Sequence, residues 1–132
     1  MMKVFEPLPA ETERLAKLVV DAAFKVHSGL GPGLLESVYE ICLAHELRKR
    51  GLSLETQVAI PVMYDGIRLE AGLRIDILVE RQLLIEIKAV EEMNRVFKAQ
   101  VLTYLKLTGL RLGLLINFNV PLIKNGIQRI IL

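Results

Sequence analysis

The sequence has one cysteine, no long apolar run and no large excess of charge of either sign. Because Cys42 is alone, it cannot form an internal disulfide, which is typical of a protein kept in the reducing cytoplasm. No apolar stretch reaches the length of about 18 residues that spans a bilayer, and Met1 to Pro7 lack the apolar run of a secretion signal. These absences exclude a disulfide-stabilised module and a helical membrane protein, and they predict a cytoplasmic protein.

Charge is nearly balanced, with 17 basic and 15 acidic residues and a net charge of +2. This small excess permits a polyanionic partner but does not indicate one, because nucleic-acid-binding proteins commonly carry a clustered basic face. The 132 residues are 52% hydrophobic and 24% charged, which is typical of a globular protein with a substantial core. We find no repeat, low-complexity tract or linker, so the sequence predicts one domain over residues 1–132.

The first half of the chain predicts two helices after a non-helical segment at residues 1–10. Thr12 is expected to cap a helix from about Glu13 to His27, and the glycines and proline of Ser28–Gly33 are expected to end it. A second helix is expected from about Leu34 to Arg50, before Gly51. Its predicted apolar stripe consists of Leu34, Val38, Ile41, Cys42 and His45.

A β pattern follows Gly51. Gln57 to Tyr64 predicts a strand whose Pro61 suits a sheet edge or a bulge. Asp65-Gly66 is a strong hairpin signal, and Ile67 to Val79 predicts a long strand, or two parts with a break near Gly72. A third strand follows the turn Glu80-Arg81-Gln82.

The last third predicts a helix from Glu91 to Leu107 that Gly109 ends, then a buried strand from Leu112 to Phe118. Asn119 to Leu132 predicts a loop and a short terminal strand. The predicted order is α-α-β-β-β-α-β with a terminal β segment. We therefore expect an α/β fold in which helices flank a central mixed four-stranded sheet.

The hairpin formed by the second and third predicted strands carries an unusual pair of charges. Leu73, Ile75, Ile77 and Val79 are expected to share one face, because they alternate with Arg74, Asp76 and Leu78. If the turn has three residues, the register places Asp76 directly opposite Glu86, and two facing carboxylates repel unless a cation lies between them. Lys88 is one such cation and a bound divalent metal is another. A structural ion pair at the end of the sheet remains the alternative.

Three motifs together resemble a known family. Asp76 followed by Glu86-Ile87-Lys88 resembles the PD-(D/E)xK nuclease superfamily, although Ile75 stands where the superfamily name has proline. The segment Gly33-Leu-Leu-Glu36-Ser-Val-Tyr39 resembles the GxxExxY signature of a prokaryotic family of that superfamily. Gln100 and Tyr104 are similar to the Gln-x-x-x-Tyr motif of its exonuclease-like branch. The resemblance implies a restriction-endonuclease-like core and covers about Leu15 to Leu132.

The resemblance also implies roles for these residues. Asp76 and Glu86, with the backbone carbonyl of Ile87, would bind Mg²⁺ or Mn²⁺, and Glu36 would complete the acidic set. Lys88 would orient the attacking water and stabilise charge on the phosphate. Gln100 and Tyr104 would position the site or the DNA backbone. The expected function is Mg²⁺-dependent DNA cleavage. The alternatives are a non-catalytic nucleic-acid- or protein-binding module, and a homodimer that pairs through the terminal strand.

Four further residues have predicted roles. His27 is expected to be a helix-terminal histidine, with a metal ligand as the alternative. Tyr39 is expected either to hold the Glu36 carboxylate by a hydrogen bond or to pack. His45 is expected to be a hydrogen-bonded core histidine, and Cys42 a core residue.

Overall fold

The computed structural model describes residues 6–132, and the part of the predicted N-terminal segment at residues 1–5 lies outside it. Three helices and five strands follow one another in this range. The helices are α1 (Ala10–Leu30), α2 (Glu36–Lys49) and α3 (Arg95–Thr108). The strands are β1 (Leu54–Tyr64), β2 (Ile67–Val79), β3 (Leu83–Lys88), β4 (Leu112–Asn117) and β5 (Ile127–Ile131), with a 3₁₀ turn at Ile123–Gly126 before β5. None of the helices within residues 6–132 has the length and apolarity needed to cross a membrane.

The strands form one mixed sheet in the order β1-β2-β3-β4-β5. Strands β3 and β4 are parallel and the other neighbours are antiparallel. The predicted α/β class is confirmed, but the prediction of four strands is wrong. The terminal strand joins the sheet, with Leu112 opposite Ile131 and Ile116 opposite Ile127. Every residue of β4 is buried. The backbone N–H and C=O groups on the side of β4 away from β3 therefore need hydrogen-bond partners, and β5 supplies them.

Helices cover both faces of the sheet. The core on one face is formed mainly by α1, α2 and inward residues of β2 to β4. The core on the other face is formed by α3 and the opposite residues of the same strands. Strands β3 and β4 are therefore covered on both sides, which explains their nearly continuous aliphatic runs.

The hairpin between β1 and β2 follows the sequence prediction. Asp65 (φ 47°) and Gly66 (φ 78°) both have left-handed backbones, as a two-residue turn of this kind requires. The pairing is irregular at Pro61, which opposes the three residues 70–72 of β2. Strand β1 is an edge strand, as Pro61 predicts.

Two predicted helix starts are wrong. Helix α1 begins at Ala10, and Thr12 is buried inside it with Oγ1 3.4 Å from Gln82 Oε1. Helix α3 begins at Arg95 rather than Glu91, because the Asn94 side chain accepts a hydrogen bond from the N–H of Val96 and caps the helix there.

The predicted apolar stripe of α2 is also wrong. The buried residues are Tyr39, Leu43, Ala44 and Leu47. In contrast, Ile41 is 68% exposed and His45 is exposed, so His45 is not a core histidine. Cys42 is partly buried against the core, as predicted. Helix α2 packs through the row of residues four apart, 39–43–47, which lies to one side of the expected stripe.

Candidate active site

The site lies where the pairing of β2 with β3 stops. The observed pairs are Val79 with Leu83, Leu78 with Leu84, and Ile77 with Ile85. They match the predicted register and its three-residue turn, in which Glu80 and Arg81 both have positive φ. The next position along each strand is occupied by Asp76 and Glu86.

At Asp76, the regular alternation of β2 side chains between the two faces of the sheet is interrupted. Ile77 and Val79 lie in the core beneath α1 and α2, whereas Ile75 lies in the core beneath α3. The prediction that these isoleucines share a face is therefore wrong. On the neighbouring strand β1, Gln57 has a φ of 52°, and such an irregularity alters local twist and redirects side chains.

The two carboxylates replace the missing ladder hydrogen bonds. The N–H of Asp76 donates to Glu86 Oε1 at 3.1 Å, and the N–H of Ile87 donates to Asp76 Oδ2 at 2.8 Å. Each acidic side chain thus accepts from the backbone of the opposite strand. The hairpin therefore holds both carboxylates side by side.

Glu86 is almost fully buried, with 4% of its surface exposed. Burial, followed by the negative charge of Asp76, raises the pKa of Glu86 to about 8. Lys88 opposes this shift, but it has no ion-pair contact with either carboxylate among those seen in residues 6–132. Two adjacent carboxylates without a close cation offer the oxygen donors that a hard divalent ion prefers.

Lys88, Gln100 and Tyr104 lie around this pair. The ammonium of Lys88 lies 4.4 Å from the centroid of the Phe97 ring. Gln100 Nε2 donates to Tyr104 Oη at 3.0 Å, and burial, followed by the charge of Glu86, raises the pKa of Tyr104. A groove of about 430 Å³ runs beside Lys88, Phe97 and Gln100. Helix α3 therefore brings its motif residues to the carboxylate end of the hairpin.

Residues 13–130 match the family model of the PD-(D/E)XK nuclease superfamily. The chain belongs to this superfamily. It matches no curated protein and no solved structure. Membership supports a nuclease-type function in general and, as is typical of the superfamily, a Mg²⁺ or Mn²⁺ cofactor. The narrower GxxExxY assignment stays a prediction.

The acidic set expected of this superfamily is only partly assembled. Glu36, the first residue of α2, is exposed, and within residues 6–132 no three metal-ligating side chains of Asp, Glu, His or Cys cluster together.

One helical turn after Glu36, Glu40 reaches the site through Gln57. Glu40 Oε1 accepts a hydrogen bond from Gln57 Nε2 at 2.6 Å, and the same nitrogen lies 3.2 Å from Asp76 Oδ1. Burial raises the pKa of Glu40. Glu40 and Gln57 are not among the site residues predicted from the sequence, and the one sequence signal for Glu40 is its four-residue spacing from Glu36.

Tyr39 of the predicted Gly-x-x-Glu-x-x-Tyr motif does not hold Glu36. Its hydroxyl donates to the carbonyl of Gly31 at 2.6 Å and accepts from the N–H of Leu34 at 3.1 Å. Its ring stacks on Phe118 with centroids 4.6 Å apart. The motif tyrosine thus closes the glycine loop and fixes the start of α2.

His27 and Asn117 have structural contacts near the ends of the site. His27 lies in the last turn of α1, as predicted, and its Nε2 lies 2.8 Å from the carbonyl of Val120. Asn117, which is buried at the end of β4, bonds both backbone groups of Val90 at 3.1 and 2.9 Å. Asn117 therefore fixes the chain directly after Lys88. The sequence signal for this role of Asn117 is a polar residue at the end of an otherwise aliphatic strand.

Proposed function

We propose that the protein is a divalent-metal-dependent nuclease that hydrolyses phosphodiester bonds in DNA. The observation that carries this proposal is the pair Asp76 and Glu86, held side by side at the end of a hairpin with Lys88 on the same strand as Glu86. Superfamily membership over residues 13–130 supports it.

The donor set fits Mg²⁺ or Mn²⁺. Asp76 and Glu86, the backbone carbonyl of Ile87 and Glu36 would hold the ion, because oxygen ligands suit these hard cations. When bound, such an ion lowers the pKa of a water molecule and offsets developing charge on the phosphate. The raised pKa of Glu86 fits this assignment, since a cation would relieve the repulsion from Asp76.

The other residues would align the substrate. Lys88 would contribute its positive charge at the phosphate and orient the attacking water, and its contact with Phe97 limits where the ammonium can go. The hydrogen bond from Gln100 fixes the Tyr104 hydroxyl, so both side chains can position a strand of DNA along α3.

A second candidate function is a nucleic-acid- or protein-binding module that keeps the fold without catalysis. The net charge of +2 favours the protein-binding form of this module, because strong phosphate binding commonly uses a clustered basic surface. In either case we propose that residues 1–132 act as one domain in the cytoplasm. The outer edge of β5 is available for pairing with a second copy.

The deciding experiment is incubation with labelled single-stranded, double-stranded and branched DNA and RNA, in Mg²⁺ or Mn²⁺. We expect cleavage of at least one DNA substrate by the parent and loss of cleavage in Lys88→Ala. Lys124→Ala, which removes an exposed lysine from the 3₁₀ turn, is the matched control. Absence of cleavage under conditions where the parent binds the metal would favour the binding module.

A further inference from the structure

We propose that Gln57 is the positioning residue for the Asp76 carboxylate and that Glu40 anchors Gln57. This inference rests on the proposed function, because it concerns how Asp76 is prepared to bind a cation. It connects the first edge strand and helix α2 to a site that otherwise lies on β2 and β3.

The contacts of Asp76 show why one more residue is needed. Its Oδ2 accepts from the N–H of Ile87 at 2.8 Å, and its Oδ1 accepts from Gln57 Nε2 at 3.2 Å. Each oxygen thus has a separate donor, one from β3 and one from β1. Without Gln57, the carboxylate would be restrained at one oxygen only and could rotate away from Glu86.

The same amide nitrogen also donates to Glu40 Oε1 at 2.6 Å. This shorter hydrogen bond holds the end of the Gln57 side chain from the side of α2. A neutral NH₂ group with two protons can satisfy two carboxylates at once. It adds no positive charge that would compete with a metal ion, as lysine would, and no negative charge, as glutamate would.

The backbone of Gln57 is consistent with a functional constraint. Its φ of 52° is uncommon for a residue other than glycine, and such conformations persist where the surroundings impose them. The observed β1–β2 pairs include Thr56 with Ile77 and Val58 with Ile75, on either side of Gln57. The irregular backbone therefore occurs beside Asp76, where it directs the amide towards the carboxylate.

Gln57 is exposed, so its role in positioning can be separated from a role in folding. Gln57→Gly removes the amide and suits a left-handed backbone. We expect this variant to keep the thermal midpoint within about 2 °C of the parent. We expect its affinity for Mg²⁺, measured by calorimetry, to fall about tenfold, as is typical when a partner that orients a metal ligand is lost. On a cleaved substrate, kcat should fall with little change in KM.

Two further variants complete the test. Gln57→Asn keeps an amide on a shorter side chain and should recover part of the affinity, whereas Gln128→Ala, an exposed glutamine on β5, should bind Mg²⁺ like the parent. If Asp76→Asn abolishes Mg²⁺ binding and Gln57→Gly binds like the parent, the positioning role is wrong and the proposed function stands. If Asp76→Asn also binds like the parent, the metal site itself is wrong.

A measurement without metal tests the hydrogen bonds of Gln57 to Glu40 and Asp76 independently of metal binding. In nuclear magnetic resonance spectra without metal, the side-chain amide signal of Gln57 should shift in both Glu40→Gln and Asp76→Asn, while that of Gln128 stays in place. Unchanged Gln57 signals in both variants would overturn the proposal, whether or not the parent binds Mg²⁺.

Discussion

The N–H of Asp76 donates to Glu86 Oε1 at 3.1 Å, so one acidic residue uses its backbone to hold the side chain of the other. This contact brings a second carboxylate beside a glutamate that is 4% exposed. Burial, followed by the charge of Asp76, raises the pKa of Glu86 from an ordinary 4.5 to about 8. The metal-free site is therefore the place where stability should depend on pH.

We predict that the metal-free protein loses stability as the pH rises from about 5 to about 8. The folded protein holds the Glu86 proton more tightly than the unfolded chain, because the folded pKa is raised. Its contribution is fully present below the unfolded pKa and is lost as the pH approaches the folded pKa. The free energy of unfolding should fall by at most about 1.4 kcal/mol per pH unit from this group.

Urea unfolding in a chelator at several pH values measures this effect. Glu86→Gln should flatten the decline, while Glu92→Gln, at an exposed position after β3, should keep it. A parent whose stability is constant or increases over this range would contradict a buried glutamate with a raised pKa.

A related prediction concerns Asp76→Asn. At about pH 9, above the raised pKa of Glu86, both carboxylates are charged, and removing one of them should stabilise the metal-free protein by about 1 kcal/mol, the scale of a cross-strand charge pair. Mg²⁺ should then raise the thermal midpoint of the parent but not of the variant, because a ligand stabilises only a folded state that binds it. Asp65→Asn, at the tip of the β1–β2 hairpin, removes the same charge far from Glu86 and should change neither result. A less stable Asp76→Asn would mean that the hydrogen bonds accepted by the Asp76 carboxylate outweigh its repulsion from Glu86.

The register of the β2–β3 hairpin could be predicted because it depends on local chemistry. The aliphatic alternation and the turn after Val79 left one pairing that kept the charged residues together. The change of face at Asp76 could not be predicted, because it accompanies an irregular backbone at Gln57 on another strand. A strict two-residue period contains no information about such a distortion.

Helix α2 shows the same difference between features set by local sequence and features set by packing partners. Its boundaries followed from glycines near each end, but its buried face depends on what packs against it. The sequence offered Ile41 as a core residue, whereas Leu43 and Leu47 are buried instead. The contact of Glu40 with Gln57 joins residues 17 positions apart, and it exists only because α2 lies beside β1.

We predict that Tyr39→Phe destabilises the protein although the stacked ring remains. The hydroxyl donates to Gly31 and accepts from Leu34, so its removal leaves two loop groups without their partner. The expected cost is about 1–2 kcal/mol in the free energy of unfolding. Tyr64→Phe, at an exposed tyrosine (71%) in the β1–β2 hairpin, is the matched control and should be neutral. Equal stability of the two variants would show that Tyr39 contributes only its ring.

The final prediction concerns how closely α3 lies on the sheet. A Cβ added to Gly113 of β4 would lie 2.6 Å from Val101 Cγ1 and 3.1 Å from Leu84 Cδ1. Gly113→Ala should therefore push α3 away from β4 and cost about 1–3 kcal/mol, as overpacking does. Because Gln100 lies next to Val101 on α3, cleavage by Gly113→Ala should also decrease.

The contact with Val101 can be tested by a double variant. Val101→Ala removes the methyl group that the new Cβ would meet, so Gly113→Ala with Val101→Ala should be more stable than the sum of the two single changes indicates. Gly29→Ala is the control, since its Cβ would meet nothing within 4 Å inside helix α1. Alanine there should stabilise the helix by about 0.5–1 kcal/mol. If the double variant shows simple additivity in urea unfolding, the close approach at Gly113 does not determine the position of α3.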